Sequence, residues 1–329
     1  MSKSYEYSSG LSVPIRTYIT EKRSLGRKYD KESRIFCELD RYLVKSGVHL
    51  PELSQAVVEG WIMKRPNEKR KNQRYRLNFI KRFALYLKNN GYEAYRPALK
   101  ISSNDDADFV PYIFTNDELD RLLHYFDNLN HSNQYPKGHL VTPLLFRTLI
   151  CCGLRVSEAI NLKLGDVDLG RGILLISEAK NEKKRYVPLS EDVWERFRFY
   201  YHEIHENSTS DDCFFPNARR GPHHPTQIYN RFREALWHCG IEHKGRGYGP
   251  RVHDFRHTFA VRSMQKLEKT KGDIVTSLPY LSTYLGHFDI MGSQLYLRLI
   301  SEHHPELIEK LCNYLGDTIP TWEANHNEN

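Results

Sequence analysis

Near the C-terminal end of the chain, four side chains able to handle an anionic oxygen follow in order. His253 and Arg256 stand three apart in Val252-His253-Asp254-Phe255-Arg256-His257-Thr258-Phe259-Ala260. His287 follows Leu285-Gly286, and Tyr296 comes nine residues later. A guanidinium binds phosphate through a planar two-pronged edge, and a tyrosine phenol can act as a nucleophile. Read as a helix, the first segment would put His253 and Arg256 on one face. Taken singly these residues are commonplace, and most of the 21 tyrosines serve the core or the surface. Two more candidates lie upstream. Arg155, in Gly153-Leu154-Arg155-Val156-Ser157-Glu158, falls where one helix stops and another starts. There it can aim its guanidinium out of the core beside a helix N-terminus, a place that favours anions. Glu158 is placed to buttress it, and an ordinary surface arginine reads equally well. Lys180, on the turn Ala179-Lys180-Asn181-Glu182-Lys183, can swing in as a general acid, although a solvated loop lysine is the commoner case.

The elements that must position these residues are mostly helices. Apolar spacing of three and four predicts helices over 11–24, 30–46, 53–63 and 73–89. The polar, acidic stretch around 100–112 reads as a linker, so the chain divides into a helical domain at 1–105, a linker at 106–112, a second domain at 113–316 and a disordered tail at 317–329. Thr115-Asn116-Asp117-Glu118 is a capping box that opens the second domain. A helix over 139–152 is expected with Pro143 in its first turn, followed by helices near 191–205 and 225–238. The period changes only at 172–177 and 185–189, which predict two antiparallel strands. Leu285-Gly286 reads as a helix end. The expected class is therefore mainly α with a small antiparallel β-sheet.

Charge is divided unevenly. Residues 1–105 hold 22 Lys and Arg against 11 Asp and Glu, leaving 26 against 30 for the rest of a chain of net charge +7. A basic unit beside a near-neutral one points to a polyanion, nucleic acid first. The densest stretch supplies Lys64, Arg65, Lys69, Arg70, Lys71, Arg74 and Arg76 with only Glu68 among them, and these are the expected contacts to a DNA backbone. An ordinary solvated helix face would more often alternate its signs. With 40% hydrophobic residues the chain can build a core. It has no run of 18 apolar residues and no apolar leader, so no membrane partner and a cytoplasmic location are expected. The six cysteines form no C-x-x-C pair and are expected as thiols. His238, Cys239, His243, His253 and His257 match no standard finger spacing, so no metal is expected.

In order and spacing these motifs resemble the tyrosine recombinase, or phage integrase, family. Thr148-Leu149-Ile150-Cys151-Cys152-Gly153-Leu154-Arg155-Val156-Ser157-Glu158 is similar to its first box, and Ala179-Lys180 through Pro188-Leu189 to its lysine-bearing hairpin. His253 to Ala260 is similar to the second box, and Leu285-Gly286-His287 with Tyr296 to the third. The motifs cover about 111–312, and residues 262–280 look longer and more charged than the family pattern. The basic N-terminal part is compatible with the family's core-binding domain but carries no motif of its own. The resemblance implies a helical core-binding domain that clamps double-stranded DNA beside a catalytic domain. It implies Tyr296 as nucleophile, Arg155 and Arg256 as phosphate clamps, His253 in proton transfer, His287 as a phosphate donor and Lys180 as the acid for the leaving 5′-oxygen. It further implies no metal or other cofactor, a homotetramer on paired sites with 304–316 docking on a neighbour, and a place for accessory DNA-bending proteins. The reaction would integrate, excise or resolve a mobile element or replicon. A type IB topoisomerase, or a silent relative that only binds DNA, are the alternatives.

Overall fold

The computed structural model describes residues 5–102, 110–177, 184–245, 248–271 and 274–286, without the side chains of 268–271 and 274–278. The chain separates into two compact units, Met1–Phe109 and Val110–Asn329. Among the described residues, no helix is long and apolar enough to cross a membrane.

The first unit consists of α1 (Ser12–Ser24), α2 (Asp30–Lys45), α3 (Gln55–Ile62) and α4 (Arg70–Asn89). Its core forms where their apolar stripes meet. Phe36, Leu39 and Leu43 of α2 and Ile80, Phe83 and Leu87 of α4 are fully buried. Phe36 stands edge-on to Phe79 and Phe83 at 4.6 and 4.9 Å between ring centres, a geometry the ring quadrupoles favour. Asp40 is buried but satisfied: it accepts the backbone N–H of Ser8 at 2.9 Å and of Ser9 at 3.0 Å, which ties the N-terminal segment to α2.

α4 begins earlier than its apolar pattern suggests, and one expected DNA contact turns inward. Arg76 is only 5% exposed. Its guanidinium takes both oxygens of Glu68, at 2.8 and 2.6 Å, and donates to the carbonyls of Trp61 and Met63. It therefore closes the loop from α3 to α4 and does not face a ligand. Its negative partner is the lone acidic residue of the run. Lys64, Arg65, Lys69, Arg70 and Lys71 are exposed, whereas Arg74 is half-buried and donates to the Ser102 carbonyl at 3.2 Å.

The second unit opens with α5 (Asn116–Asp127), capped by Thr115 and Glu118 accepting each other's backbone N–H. Its centre is α6 (Gly138–Cys152), whose residues Val141, Leu145, Phe146, Thr148 and Leu149 are all buried. Pro143 lies inside α6, since the helix starts at Gly138, and not in its first turn. Phe146 stacks on Phe126 of α5 at 4.0 Å. After the short α7 (Val156–Ile160) come β1 (Val167–Asp168), β2 (Ile173–Ser177) and β3 (Lys184–Pro188), an antiparallel sheet in that order. The two-residue β1 carries too little pattern to be read from sequence. Leu174 and Ile176 of β2 and Val187 of β3 supply its buried face. Then follow α8 (Glu191–Ile204), α9 (Pro225–His238), α10 (Asp254–Lys271) and α11 (Ile274–Leu285). Phe255 of α10 stacks on Phe114 at 4.8 Å, which ties α10 to the segment leading into α5.

Candidate active site

Three guanidinium groups converge on the last turn of α11. Arg185 donates to the Tyr284 carbonyl at 2.7 Å, Arg256 to the Leu285 carbonyl, and Arg155 to the Gly286 carbonyl at 2.9 Å. These carbonyls lie at the negative end of a helix, where no further helical N–H can reach them. α11 stops because Gly286 adopts φ +66°, a left-handed conformation that suits glycine.

Each arginine arrives from a different element. Arg155 stands between α6 and α7 because Gly153, at φ +59°, turns the chain after Cys152. Arg256 projects from the first turn of α10 and is 1% exposed, with its other arm on the Gly153 carbonyl at 2.9 Å. Arg185 comes from β3. Its side chain is 10% exposed, and it shares the inward phase of the strand with Val187. Tyr284 adds a bond from its hydroxyl to the Cys152 carbonyl at 3.3 Å and stacks on Phe259 at 5.4 Å.

Glu158 balances this positive charge. One oxygen accepts from Arg155 at 2.8 Å and from Arg185 at 3.0 Å. The other accepts from Arg185 and from the Arg155 backbone N–H, both at 2.8 Å, and lies 4.0 Å from Arg256. Burial alone would raise the Glu158 pKa. The Arg185 hydrogen bonds and charge, the Arg155 N–H and the Arg256 charge outweigh it and hold the carboxyl below its ordinary range. The buttressing role read for Glu158 from sequence is present, and it extends beyond Arg155.

α10 begins at Asp254, so His253 is its N-cap, and its carbonyl accepts the backbone N–H groups of Arg256 at 3.1 Å and His257 at 3.4 Å. His253 reaches solvent while Arg256 is enclosed. Even so, enough protein surrounds the ring that desolvation, then the Arg256 charge, lowers its pKa from 6.5, against a smaller opposite pull from Asp254. Asp254 in turn is 1% exposed and caps the turn by accepting from the Arg251 backbone N–H and guanidinium, both at 2.8 Å.

The structure thus brings Arg155 and Arg256 together at the end of α11, with His253 near enough for both charges to act on its ring. Lys180, His287 and Tyr296 lie outside the described residues, as do 304–316 and the tail at 317–329. The residue missed from sequence is Arg185. The available signal was its phase: it is two residues from the buried Val187 and opposite the buried Ile176.

Comparison with known proteins gives the family of the chain. Residues 113–303 match the model of the phage integrase family. A putative integrase/recombinase y4rB of Sinorhizobium fredii is 26% identical over 308 residues, spanning 90% of this chain and 95% of the relative. A tyrosine recombinase XerD of Neisseria meningitidis is 25% identical over 278 residues, spanning 81% and 88%. Among solved structures, the Tn1549 transposon integrase in complex with circular intermediate DNA superposes with TM-score 0.61 at 17% identity, over 88% of this chain and 95% of that one. A lambda integrase dimer bound to a COC′ core site gives 0.57 at 17% identity, over 84% and 94%. At such identities the structural likeness concerns the fold. The chain belongs to the phage integrase family, and so to the tyrosine-type site-specific recombinases.

Proposed function

We propose that the protein cleaves and rejoins double-stranded DNA through a 3′-phosphotyrosyl intermediate, with Tyr296 as the nucleophile. The observation that carries the reading is the convergence of Arg155 and Arg256 on the carbonyls that immediately precede His287. In the reaction the Tyr296 hydroxyl oxygen bonds to phosphorus as its proton passes to His253, the bond from phosphorus to the 5′-oxygen breaks, and that oxygen takes a proton from Lys180. A phenol titrates near pH 10, so only about 0.1% is ionised at pH 7. Neighbouring guanidinium groups favour the anion. Arg155 would hold a non-bridging oxygen as charge builds up, and Arg256 would do so by exchanging the Leu285 carbonyl for the phosphate; each such donor is worth roughly a hundred- to a thousandfold in rate. His253, whose pKa is lowered by desolvation and the Arg256 charge, is suited to accept that proton. His287 would donate to the same phosphate.

Backbone contacts would come from Lys64, Arg65, Lys69, Arg70 and Lys71, with Arg74 at the edge. Four copies would assemble on two sites to exchange strands of a mobile element or replicon, with DNA-bending proteins as possible accessories. The test uses nicked duplexes cut from the DNA flanking the protein's own coding region, incubated with protein in EDTA. A protein–DNA band that survives detergent is expected, together with exchanged strands when two labelled duplexes are mixed. Tight binding without any adduct would contradict the proposal.

A further inference from the structure

We propose that Arg185 is a positioning residue for the phosphate clamp: it occupies both oxygens of Glu158, so that this carboxylate orients Arg155 without competing with a phosphate for Arg155 and Arg256. The inference rests on the phosphotyrosyl reading above. The Glu158 side chain is 6% exposed; one oxygen accepts from Nη1 of Arg155 at 2.8 Å, and the other lies 4.0 Å from Nη1 of Arg256. Like charges repel, and they do so more strongly in a buried site than in water. An uncompensated carboxylate there would oppose the phosphate and draw both guanidinium groups towards itself. Arg185 meets this carboxylate edge to edge, with Nη1 on one oxygen at 3.0 Å and Nη2 on the other at 2.8 Å. Such a two-pronged pairing fixes angle as well as distance, which an ammonium cannot do. Its Nε donates to the Tyr284 carbonyl at 2.7 Å, so all three nitrogens bond within the protein, and the side chain is 10% exposed. Arg185 is therefore placed to act on the clamp through Glu158 and not on DNA directly. It lies on the inner face of the sheet, opposite the buried Ile176 and two residues from the buried Val187. An apolar side chain could pack there, and a charge is costly unless paired. Burial pushes the Glu158 carboxyl up, and the Arg185 hydrogen bonds are the largest influence that holds it down.

The test is a double-mutant cycle on the full-length protein. Rates of adduct formation at saturating protein are measured on nicked duplexes in EDTA for the parent, Arg185→Gln, Glu158→Gln and the double variant, with melting temperatures recorded alongside. With the Glu158 carboxylate present, Arg185→Gln should slow adduct formation by at least about tenfold, though by less than the roughly hundred- to thousandfold of a donor that touches the transition state. Glu158→Gln should be slowed but still form adduct, since the amide oxygen can accept from Arg155. Once that anion is gone, adding Arg185→Gln should change the rate by no more than about threefold, a dependence shown only by residues that act on each other. A role confined to bracing β3 against α11 through Tyr284 would give the same defect in both backgrounds, which would overturn the inference. A parental rate in folded Arg185→Gln, or no adduct in Glu158→Gln, would overturn it as well. Arg185→Lys, which keeps the charge and loses the two-pronged grip, should fall between the parent and Arg185→Gln, and it takes the place of Arg185→Gln in the cycle if that variant does not fold. If the parent forms no adduct, the proposed function itself has failed.

Discussion

Glu158 lies among three guanidinium groups, and its ionisation is part of the fold. Its lowered pKa means that it contributes stability above the unfolded carboxyl range, which is lost as pH falls through the folded value. His253 shows the opposite chemistry with the same direction of loss. Its folded pKa is below 6.5, so the native state prefers the neutral ring; that preference is present above 6.5 and is lost on acidification. An NMR titration of the His253 ring, assigned with His253→Asn, should give a midpoint below 6.5. A midpoint above 7 would contradict the cationic, partly desolvated surroundings described here. At this scale much was legible in sequence, because Arg155, His253 and Arg256 are motif residues. Arg185 was not. A lone arginine in a strand reads as solvent-facing; the phase it shares with Val187 places it on the inner face, and pairing with Glu158 satisfies its charge there.

The elements that bring these side chains together are short connections as much as helices. Gly153 holds φ +59°, and a Cβ there would lie 2.5 Å from the Phe259 ring, which stacks on Tyr284. Gly153→Ala should therefore lose about 1–2 kcal/mol from the left-handed backbone alone, plus the cost of displacing Phe259. It should also slow cleavage, because the Gly153 carbonyl anchors Arg256. Denaturant unfolding and adduct rates check both, and parental values in each would contradict this role for the turn. The glycine punctuation at 153 and 286 was readable before the structure, since helix ends carry local chemistry. The start of α4 and the inner position of Pro143 were not, because polar first turns and tolerated prolines leave no apolar period. His253 falls at the N-cap of α10, a boundary of one residue that spacing does not resolve.

On the scale of the whole molecule, the basic excess of the first unit is divided between structure and surface. Arg76 is spent on Glu68 and the loop from α3 to α4, so charge counting overstated the cations available to a polyanion. Lys69, Arg70 and Lys71 remain exposed. If they meet phosphates, replacing each with Gln should make the dependence of log K on log salt shallower by about 1 per contact. Arg76→Ala should instead lower the melting temperature. An unchanged salt slope in the triple variant would remove that face from the account. The most direct test of the central claim is to isolate the protein–DNA adduct formed on a nicked duplex in EDTA, digest both partners, and sequence the nucleotide-bearing peptide by mass spectrometry. A 3′-linked nucleotide on Tyr296 is expected, with no adduct in Tyr296→Phe. A nucleotide on any other residue, or an adduct that persists in Tyr296→Phe, would mean that the nucleophile has been wrongly assigned.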